Sequence, residues 1–545
     1  MGDADWWRRG VIYQIYPRSF MDSDGDGVGD LPGILARLDH LTWLGVDAIW
    51  LSPIHPSPMD DFGYDVSDYT GVDPVFGTLH DLDRLVAEAH RRGLRVLLDW
   101  VPNHTSDRHP WFEASSSSRD DPRRDWYVWR DPGPDGGPPS NWLRYVGDSA
   151  WRWHEATGQF YYRVFLDSQP DLNWRNPEVQ EAMFDTLRFW LARGIDGFRI
   201  DALVVLVEDD RLRDNPPNPS YRPGEDFPYM RELSVWNVDR PETRELAARM
   251  RKVVDEFGDD RVLLAELGVP LEQTVAYYGG DGGGIQVPFN FELLSAAWDA
   301  RGIAGYVDRY LAALPAGAWP NWVLGNHDTP RVASRLGSAQ ARVAAVLLLT
   351  LPGTPILYQG EELGLGDVPI PPSDALDPIA ELVPGRGRDP ERTPMPWDAG
   401  PGGGFTTGRP WLPVGEENLA LNAAAQRDDP ASMLTLHRRL LQLRRQTPAL
   451  VTGAYQPVEA DGDVLAYLRT TPGGDRWLIA LNLGPSPARL ALPGPAAAGR
   501  VELSTHPCRD GEPVDGSLDL RGDEAVVVSL AGHADAVQEP DTRPG

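Results

Sequence analysis

The stretch Gly194-Ile195-Asp196-Gly197-Phe198-Arg199-Ile200-Asp201-Ala202 places two charged side chains at the end of a short apolar segment. Residues 197–200 are expected to form a buried β-strand, and the amphipathic segment 177–193 before it a helix that ends at Gly194. An unpaired charge in a strand interior is strongly unfavourable. Arg199 and Asp201 therefore form a structural ion pair or face a polar cleft, and this stretch alone leaves both readings open.

The composition narrows the class of protein. The chain has 545 residues, too many for one compact core, so we expect two or three domains. Its net charge of −30 argues against nucleic acid and anionic membranes as partners and suits a neutral substrate. Cys508 is the only cysteine, so an intrachain disulfide is excluded. The N-terminus lacks the pattern of a signal peptide, and the most apolar run, 343–351, is too short to span a bilayer, so we expect a cytoplasmic protein with no membrane contact.

Strand and helix patterns alternate through most of the chain. Short apolar strands that alternate with helices are typical of a parallel sheet covered on both faces. Eight such units is the count of a closed (β/α)8 barrel, the TIM-barrel fold of the α/β class. The predicted strands are 11–16, 48–51, 95–100, 197–200, 262–266, 286–291, 321–324 and 355–358.

Two segments depart from this alternation. Residues 105–172, after the third strand, are rich in Ser, Asp, Pro, Gly and Trp and too long for a plain loop, so they are predicted to form a small inserted domain. Residues 451–545 contain short β segments separated by Gly and Pro turns, which predicts a C-terminal antiparallel β domain of the sandwich type. The catalytic barrel would then comprise residues 1–104 and 173–450.

Carboxylates gather where the predicted strands end. The active site of a β/α barrel lies at the carboxyl ends of its strands, and there the sequence has Asp201, Glu266 and Asp328. Three carboxylates in one barrel mouth repel each other and cost stability unless they have a use. Their number favours glycosidic bond cleavage, in which one carboxylate is the nucleophile and one carboxylic acid the proton donor. Zinc, serine-nucleophile and P-loop motifs are absent from the sequence.

An acidic loop precedes the first predicted helix. Asp22, Asp24, Asp26 and Asp30, with the carbonyl of Val28, match the ligand spacing of a calcium loop, although the glutamate that completes an EF-hand is missing. The alternative is a solvated acidic turn. Because four carboxylates in nine residues repel each other without a cation, the pattern favours a structural metal site, with Ca²⁺ expected and Mg²⁺ as the substitute.

Aromatic residues cluster between positions 126 and 165. Most are expected to form the core of the inserted domain. Phe165 is the one favoured as an apolar wall against a sugar ring.

These motifs together resemble the α-amylase family of glycoside hydrolases (family 13), and within it the α-glucosidase and oligo-1,6-glucosidase branch. The resemblance extends over residues 6–530. It rests on the blocks Asp99-Trp100-Val101-Pro102-Asn103-His104, Gly197-Phe198-Arg199-Ile200-Asp201, the strand ending in Glu266, Asn326-His327-Asp328, Gln169-Pro170-Asp171-Leu172-Asn173-Trp174 and Arg392-Thr393-Pro394-Met395-Pro396-Trp397.

The resemblance implies a role for each of these residues. Asp201 would be the nucleophile that forms a β-glucosyl-enzyme, Glu266 the general acid and then the general base, and Asp328 would hold the distorted sugar. The acidic loop matches this branch's calcium site. The substrate would be maltose, a short malto-oligosaccharide or sucrose, and the protein a monomer or homodimer. The first sugar subsite would be lined by Asp61, Tyr64, His104, Arg199, His327 and Arg392.

One position bears on linkage. Ala202 follows the nucleophile where relatives that prefer α-1,6 bonds usually carry valine, which favours α-1,4 bonds here. The leading hypothesis is therefore a retaining, exo-acting α-glucosidase, with transglycosylation as an accompanying reaction. An oligo-1,6-glucosidase and a sucrose-active hydrolase, glucosyltransferase or isomerase (of the trehalulose or isomaltulose type) stay open, although Gly385-Arg386-Gly387-Arg388-Asp389 lacks the first aspartate of the isomerase loop. A non-catalytic transporter partner is disfavoured, because all three carboxylates are present.

Overall fold

The structure is a computed structural model that describes residues 4–280, 282–494 and 497–531. The predicted α/β class is confirmed, with a parallel eight-stranded sheet, a small sheet inserted after its third strand and an antiparallel sheet at the C-terminal end. The last residues of the predicted C-terminal domain, 532–545, lie outside the described part of the chain.

All eight predicted barrel strands are present and parallel. In space they follow the order seventh, eighth, first, second, third, fourth, fifth and sixth. The sixth strand is shorter than the predicted 286–291, because it ends at Pro288, which has no N–H to extend the ladder. The first to eighth barrel strands are Ile12–Ile15, Ala48–Leu51, Arg95–Trp100, Gly197–Ile200, Val262–Ala265, Val287–Pro288, Asn321–Val323 and Thr354–Tyr358.

A side-chain amide spans the gap between the sixth and seventh strands, which share no backbone ladder within the described residues. Asn321 is fully buried, and its Nδ2 donates to the carbonyl of Pro288. Its Oδ1 accepts from the backbone N–H of Asn290 at 3.2 Å. The amide thus satisfies backbone groups that a ladder would otherwise pair, and it closes the sheet.

Helices begin and end where local chemistry predicts. The Asp30 side chain accepts from the N–H of Gly33 at 2.6 Å and caps the helix after the first strand. Gly194 follows the helix before the fourth strand with a left-handed φ of 97°, which explains the predicted end of that helix. The main helices are Leu31–Leu44, Leu79–Arg91, Pro110–Ser117, Pro177–Ala192, Pro241–Asp255, Ala300–Ala313, Val332–Thr350 and Met433–Gln446, and shorter ones are Trp6–Arg9, Leu271–Thr274, Glu292–Ser295, Pro378–Leu382, Glu416–Ala420, Ala423–Gln426 and Pro448–Thr452.

The helix Val332–Thr350 is the one described helix long and apolar enough to cross a membrane by length and composition alone. Its second half is buried from Val343 to Thr350. Gln340, which is also buried, donates to the carbonyl of Asn482 at 3.3 Å, in the C-terminal domain. The helix therefore lies between two domains of this chain.

The two additional domains are built from antiparallel strands. In the C-terminal sheet, Tyr467 and Ile479 pack on the barrel core, while the alternating neighbours Ala466 and Leu478 belong to a second core that includes Leu518 from the far end of the same sheet. This sheet therefore folds over on itself. The inserted domain has strands Trp129–Arg130, Trp151–His154 and Gln159–Tyr162, and the C-terminal domain has Ala454–Val458, Val464–Thr470, Arg476–Asn482, Ala488–Ala491, Ala498–Ser504, Pro513–Asp515, Ser517–Leu520 and Ala525–Leu530.

Candidate active site

Arg199 lies at the centre of the candidate site. Its side chain is only 2 % exposed, and its guanidinium holds three carboxylates. Nη1 donates to Asp99 Oδ1 at 2.8 Å and to Asp201 Oδ1 at 2.7 Å, and Nη2 donates to Glu266 Oε2 at 2.7 Å. The third, fourth and fifth strands each supply one of these carboxylates. Both readings of Arg199 and Asp201 thus apply, since they form an ion pair and Asp201 also lines a cleft.

Burial raises the pKa values of Asp99 and Asp201, two of the three carboxyl groups around Arg199. Three carboxylates share one guanidinium, which leaves their negative charge only partly compensated. Burial raises the pKa of Asp99 to about 6, against the effect of Arg199. Burial also raises the pKa of Asp201 well above its ordinary value, Arg199 opposes that rise, and the carboxylates of Glu266 and Asp99 add to it. The environment therefore supports acid–base chemistry among neighbouring carboxyl groups.

The backbone of Ala202 holds Glu266 next to Asp201. Its backbone is left-handed, with φ 46° and ψ 36°. In this conformation its N–H donates to Glu266 Oε2 at 3.2 Å. A left-handed conformation costs a residue other than glycine about 1–2 kcal/mol. That strain lies at the junction of two candidate catalytic groups, as strained backbone often does at functional sites.

Asp328 follows the seventh strand and is held ionised by two arginines. Arg392 Nη2 donates to its Oδ1 at 2.5 Å and Arg388 Nη1 at 3.3 Å. Burial opposes ionisation, yet His327 and the two guanidiniums hold the pKa of Asp328 well below its ordinary value. His327 carries no charge at neutral pH, because burial lowers its pKa to about 3. At neutral pH the guanidiniums of Arg392, Arg388 and Arg199 therefore account for the lowered pKa, and Asp328 stays a carboxylate.

The two histidines of the site are neutral and already hydrogen-bonded. His327 Nδ1 lies 2.8 Å from Gln14 Nε2 and its Nε2 lies 2.8 Å from the Tyr64 hydroxyl. His104 Nε2 lies 3.0 Å from the Tyr64 carbonyl, and burial lowers its pKa to about 4. A hydrogen bond from either ring to a sugar hydroxyl would require an exchange of partners. Their sugar-binding role stays a prediction.

The predicted residues divide into two layers around an open cavity of about 340 Å³. The lower layer comprises Arg199, His327 and Arg392, which are buried and contact the carboxylates of Asp201, Glu266 and Asp328. The upper layer faces the cavity itself and comprises Asp61, Tyr64, His104, Phe165, Asp201, Glu266 and Asp328. The structure thus brings all ten residues together, although their individual roles stay predictions.

Arg388 was not predicted as a site residue, yet it faces the cavity. Its Nη2 donates to Asp61 Oδ1 at 2.8 Å and to Asp377 Oδ1 at 2.7 Å. Together with its contact to Asp328, this places one guanidinium against three carboxylates from three loops. Asp99 and Gln169 were also missed, although both stand in the sequence blocks that carry the family resemblance. Gln169 Nε2 donates to the second oxygen of Asp61 at 3.1 Å.

The acidic loop brings three of its four aspartates together. Carboxylate oxygens of Asp22, Asp24 and Asp30 lie within 4.8 Å of one another, and this is the one such group of three in the described residues. Asp26 lies outside the group, and its Oδ1 accepts from the N–H of Val28 at 2.7 Å. An all-oxygen donor set of this kind fits Ca²⁺ or Mg²⁺. The loop contains no general base, so a cation here would be structural.

Comparisons with known proteins match both the barrel and the C-terminal part of the chain. The family described as "Alpha amylase, catalytic domain" matches residues 14–453, and a domain of unknown function, DUF3459, matches residues 454–534. A probable alpha-glucosidase of Rhizobium meliloti (strain 1021) is 45% identical over 508 residues, which cover 90% of this chain and 92% of that protein.

Solved structures are similar over almost the whole chain. The alpha-glucosyl transfer enzyme XgtA has a TM-score of 0.91 and 43% identity, and the similarity covers 97% of this chain and 99% of that one. The trehalulose synthase MutB from Pseudomonas mesoacidophila MX-45 has a TM-score of 0.87 and 34% identity, covering 96% and 99%. The chain therefore belongs to the α-amylase family of glycoside hydrolases, and it is an enzyme of that family's α-glucosidase type.

Proposed function

We propose that this enzyme is a retaining, exo-acting α-glucosidase that releases glucose from short α-glucosides. The observation that carries the proposal is the attachment of Asp201 and Glu266 to the two terminal nitrogens of one guanidinium, at the edge of the cavity. Such sharing keeps the two carboxyl groups close, and a retaining pair requires a separation of about 5–5.5 Å. The rigid ends of two adjacent strands set this spacing.

Each carboxyl group would then have a distinct task. With the proton of the cluster on Glu266, the Asp201 carboxylate attacks the anomeric carbon, while Glu266 gives that proton to the departing oxygen. In the second half Glu266 removes a proton from water, which attacks the same carbon and releases Asp201. Asp328, kept ionised by its two arginines, accepts hydrogen bonds from sugar hydroxyls and favours the positive charge that develops on the ring.

The charged end of the cavity supports exo action. Arg388 donates to one carboxylate oxygen of Asp61 and Gln169 donates to the other. The three loops that carry these residues therefore meet at this end of the cavity. We infer that this junction limits the space past the first glucose. A single terminal glucose would then enter, with the rest of the substrate toward the open side.

The preferred glycosidic linkage and the cation of the acidic loop are further parts of this proposal. The small side chain of Ala202 lines the cavity and favours α-1,4 substrates such as maltose. The acidic loop would hold Ca²⁺, which would fasten this loop to the segment that follows Phe405, because the Asp22 side chain accepts from the Thr406 hydroxyl.

The test is product analysis by NMR with maltose, isomaltose and sucrose. Release of α-glucose first, with maltose the best substrate, is expected. Initial release of β-glucose would refute retention, and conversion of sucrose to trehalulose or isomaltulose would favour the isomerase alternative. Asp201→Asn removes the nucleophile at nearly constant volume, so we expect a loss of at least about 1,000-fold in kcat with unchanged circular dichroism. Substantial residual turnover would mean that the nucleophile is another residue.

A further inference from the structure

The loop after the second barrel strand carries Asp61 on a strained backbone. Met59 and Phe62, which stand on either side of Asp61, have left-handed φ angles of 68° and 50°. Gly63 is also left-handed, with φ 110°, and a Cβ at this position would lie 3.2 Å from the carbonyl oxygen of Pro53. A left-handed conformation costs a residue other than glycine about 1–2 kcal/mol. Such a conformation persists only where surrounding contacts enforce it, so other residues must hold this loop.

One arginine contacts the side chains of both left-handed residues. Arg18 Nη1 lies 3.7 Å from Met59 Sδ, and the Arg18 guanidinium lies 5.2 Å from the Phe62 ring. The same guanidinium lies 4.9 Å from the Trp411 ring, which packs against Phe62 with ring centroids 5.4 Å apart. Contacts between a cation and an aromatic face are attractive, and more so where water is excluded. Arg18 therefore holds the strained residues through their side chains.

Asp65 holds the backbone of the same loop. It is fully buried, and both of its carboxylate oxygens accept hydrogen bonds. Oδ1 accepts from the Ser57 hydroxyl at 2.7 Å and from the Asp61 N–H at 3.0 Å, and Oδ2 accepts from the Asp60 N–H at 2.9 Å. Burial raises the pKa of Asp65 to about 6, and these three donors oppose the rise. At neutral pH Asp65 is therefore mainly a carboxylate, which can accept at both oxygens.

Asp61 is thus held at its backbone and at its side chain. Its N–H is bound to Asp65, and its two carboxylate oxygens accept from Arg388 at 2.8 Å and from Gln169 at 3.1 Å. The backbone position decides whether the carboxylate reaches both partners and still faces the cavity. A displacement of about 1 Å in a catalytic arrangement can lower the rate about 100-fold. Small movements of this loop should therefore affect the reaction.

Resting on the α-glucosidase function proposed above, we propose that Asp65 is a positioning residue for the first glucose. Asp65 is fully buried and so does not contact the substrate itself. It places Asp61, and Asp61 contacts the sugar. Without the Asp65 carboxylate, two backbone N–H groups lose their acceptor and the strained loop relaxes away from its present geometry. The loss would then reach the substrate through Asp61 and not through Tyr64, the other neighbour of Asp65 that faces the cavity.

A double-mutant cycle tests this route. Asp65→Asn keeps the volume but turns an amide NH2 toward the donors, so we expect kcat/KM for 4-nitrophenyl α-glucoside at pH 7.5 to fall at least about tenfold. In an Asp61→Ala background, the same substitution should lower kcat/KM by no more than about twofold further, because both substitutions act through one contact. In a Tyr64→Phe background it should still cost about tenfold.

Glu524 offers a matched control in the C-terminal domain. It is also fully buried, and it accepts from the Ser504 hydroxyl at 2.9 Å and from the Arg521 N–H at 2.7 Å. Glu524→Gln should lower the denaturation midpoint, as Asp65→Asn does, and leave kcat/KM unchanged.

Ser57→Ala is a milder variant, which keeps the test independent of how well Asp65→Asn folds. It removes one of the three donors to Asp65 and the acceptor of the Met59 N–H. We expect kcat/KM to fall about threefold, and this loss should also disappear in the Asp61→Ala background.

Four outcomes decide the matter. Wild-type kcat/KM in both Asp65→Asn and Ser57→Ala, or losses that are undiminished in the Asp61→Ala background, would overturn the inference. An equal loss of activity in Glu524→Gln would mean that the rate follows stability alone, which also overturns it. If the wild-type enzyme hydrolyses 4-nitrophenyl α-glucoside while the variants fail in either way, the α-glucosidase proposal stands and this inference fails. If the wild-type enzyme hydrolyses neither that glucoside nor maltose, both fail.

Discussion

Removal of Arg388 tests whether one buried guanidinium organises the charged end of the cavity. Arg388→Ala deprives Asp377, which is buried, of two contacts, from Nε at 2.9 Å and from Nη2 at 2.7 Å. Removing one partner of a buried ion pair costs about 3–5 kcal/mol. Asp377 keeps two backbone donors, the N–H groups of Ile379 and of residue 388 itself. We therefore expect the lower end of that range, about 3 kcal/mol of unfolding free energy.

The same substitution should impair catalysis through two carboxylates that face the cavity. Asp61 would keep only Gln169 as a side-chain partner, and Asp328 would lose one of its two arginines. Because both carboxylates are expected to contact the first glucose, we expect kcat/KM for 4-nitrophenyl α-glucoside to fall at least about 100-fold, or about 2.7 kcal/mol. Arg388→Lys keeps the charge but not the planar fork, so its loss should be intermediate.

Arg188 offers a matched control on the surface. It also contacts three carboxylates, Glu181 at 2.7 Å, Asp185 at 2.9 Å and Glu256 at 2.9 Å, but all three are exposed. Arg188→Ala should therefore cost no more than about 1 kcal/mol and leave kcat/KM unchanged. Denaturation midpoints and initial rates measure both quantities. Equal losses of stability in Arg388→Ala and Arg188→Ala would refute the argument that burial makes the ion pairs of Arg388 important. Full activity of Arg388→Lys would refute the argument that the planar guanidinium is required.

Three further outcomes follow from local geometry. Ala202→Val places a β-branched residue at φ 46°, so it should lower the unfolding free energy by about 1–2 kcal/mol and raise the isomaltose-to-maltose ratio of kcat/KM; an unchanged ratio would remove the linkage argument. Chelation by EDTA should lower the melting temperature and Ca²⁺ should restore it, whereas an EDTA-insensitive melting temperature would contradict a structural cation. Burial raises the pKa of Glu361 from 4.5 to about 8, so at pH 7 this side chain takes up a proton on folding, and stability falls as pH rises from about 4.5 to 8. Glu361→Gln should therefore raise the unfolding free energy by up to about 3 kcal/mol at pH 7 and leave it nearly unchanged near pH 4.5. An equal gain at both pH values would contradict this origin.

The barrel was predictable because its elements are specified locally. Each strand is a short apolar run, and glycine at a left-handed position, as at Gly194, ends the preceding helix. Prediction was weakest in the sixth strand, where the apolar pattern of 286–291 continues past Pro288. There Asn290 contributes its backbone N–H to Asn321 instead of a ladder, a contact that exists only once the barrel closes. Local pattern thus identifies a strand, and tertiary contacts decide its length.

The candidate site was predictable to the extent that its residues stand on strands. Arg199 and Asp201 are two positions apart at one strand end, so their proximity follows from the backbone alone. The contact of Arg388 with Asp61 could not be inferred in this way, because the two residues are 327 positions apart in the chain and both lie on loops. A charged loop residue is ordinarily solvated, and only the packing of several loops against each other buries this one.

The same distinction separates the two ends of the cavity. The end that we propose binds glucose is built on strand ends, so the sequence motifs identify it. The opposite wall joins Leu166, Tyr229 and Ile379, which come from three loops with no motif in common. Loop contacts of this kind can change while the strand ends keep their geometry. Enzymes that share the catalytic carboxylates can therefore differ in what they accept beyond the first glucose.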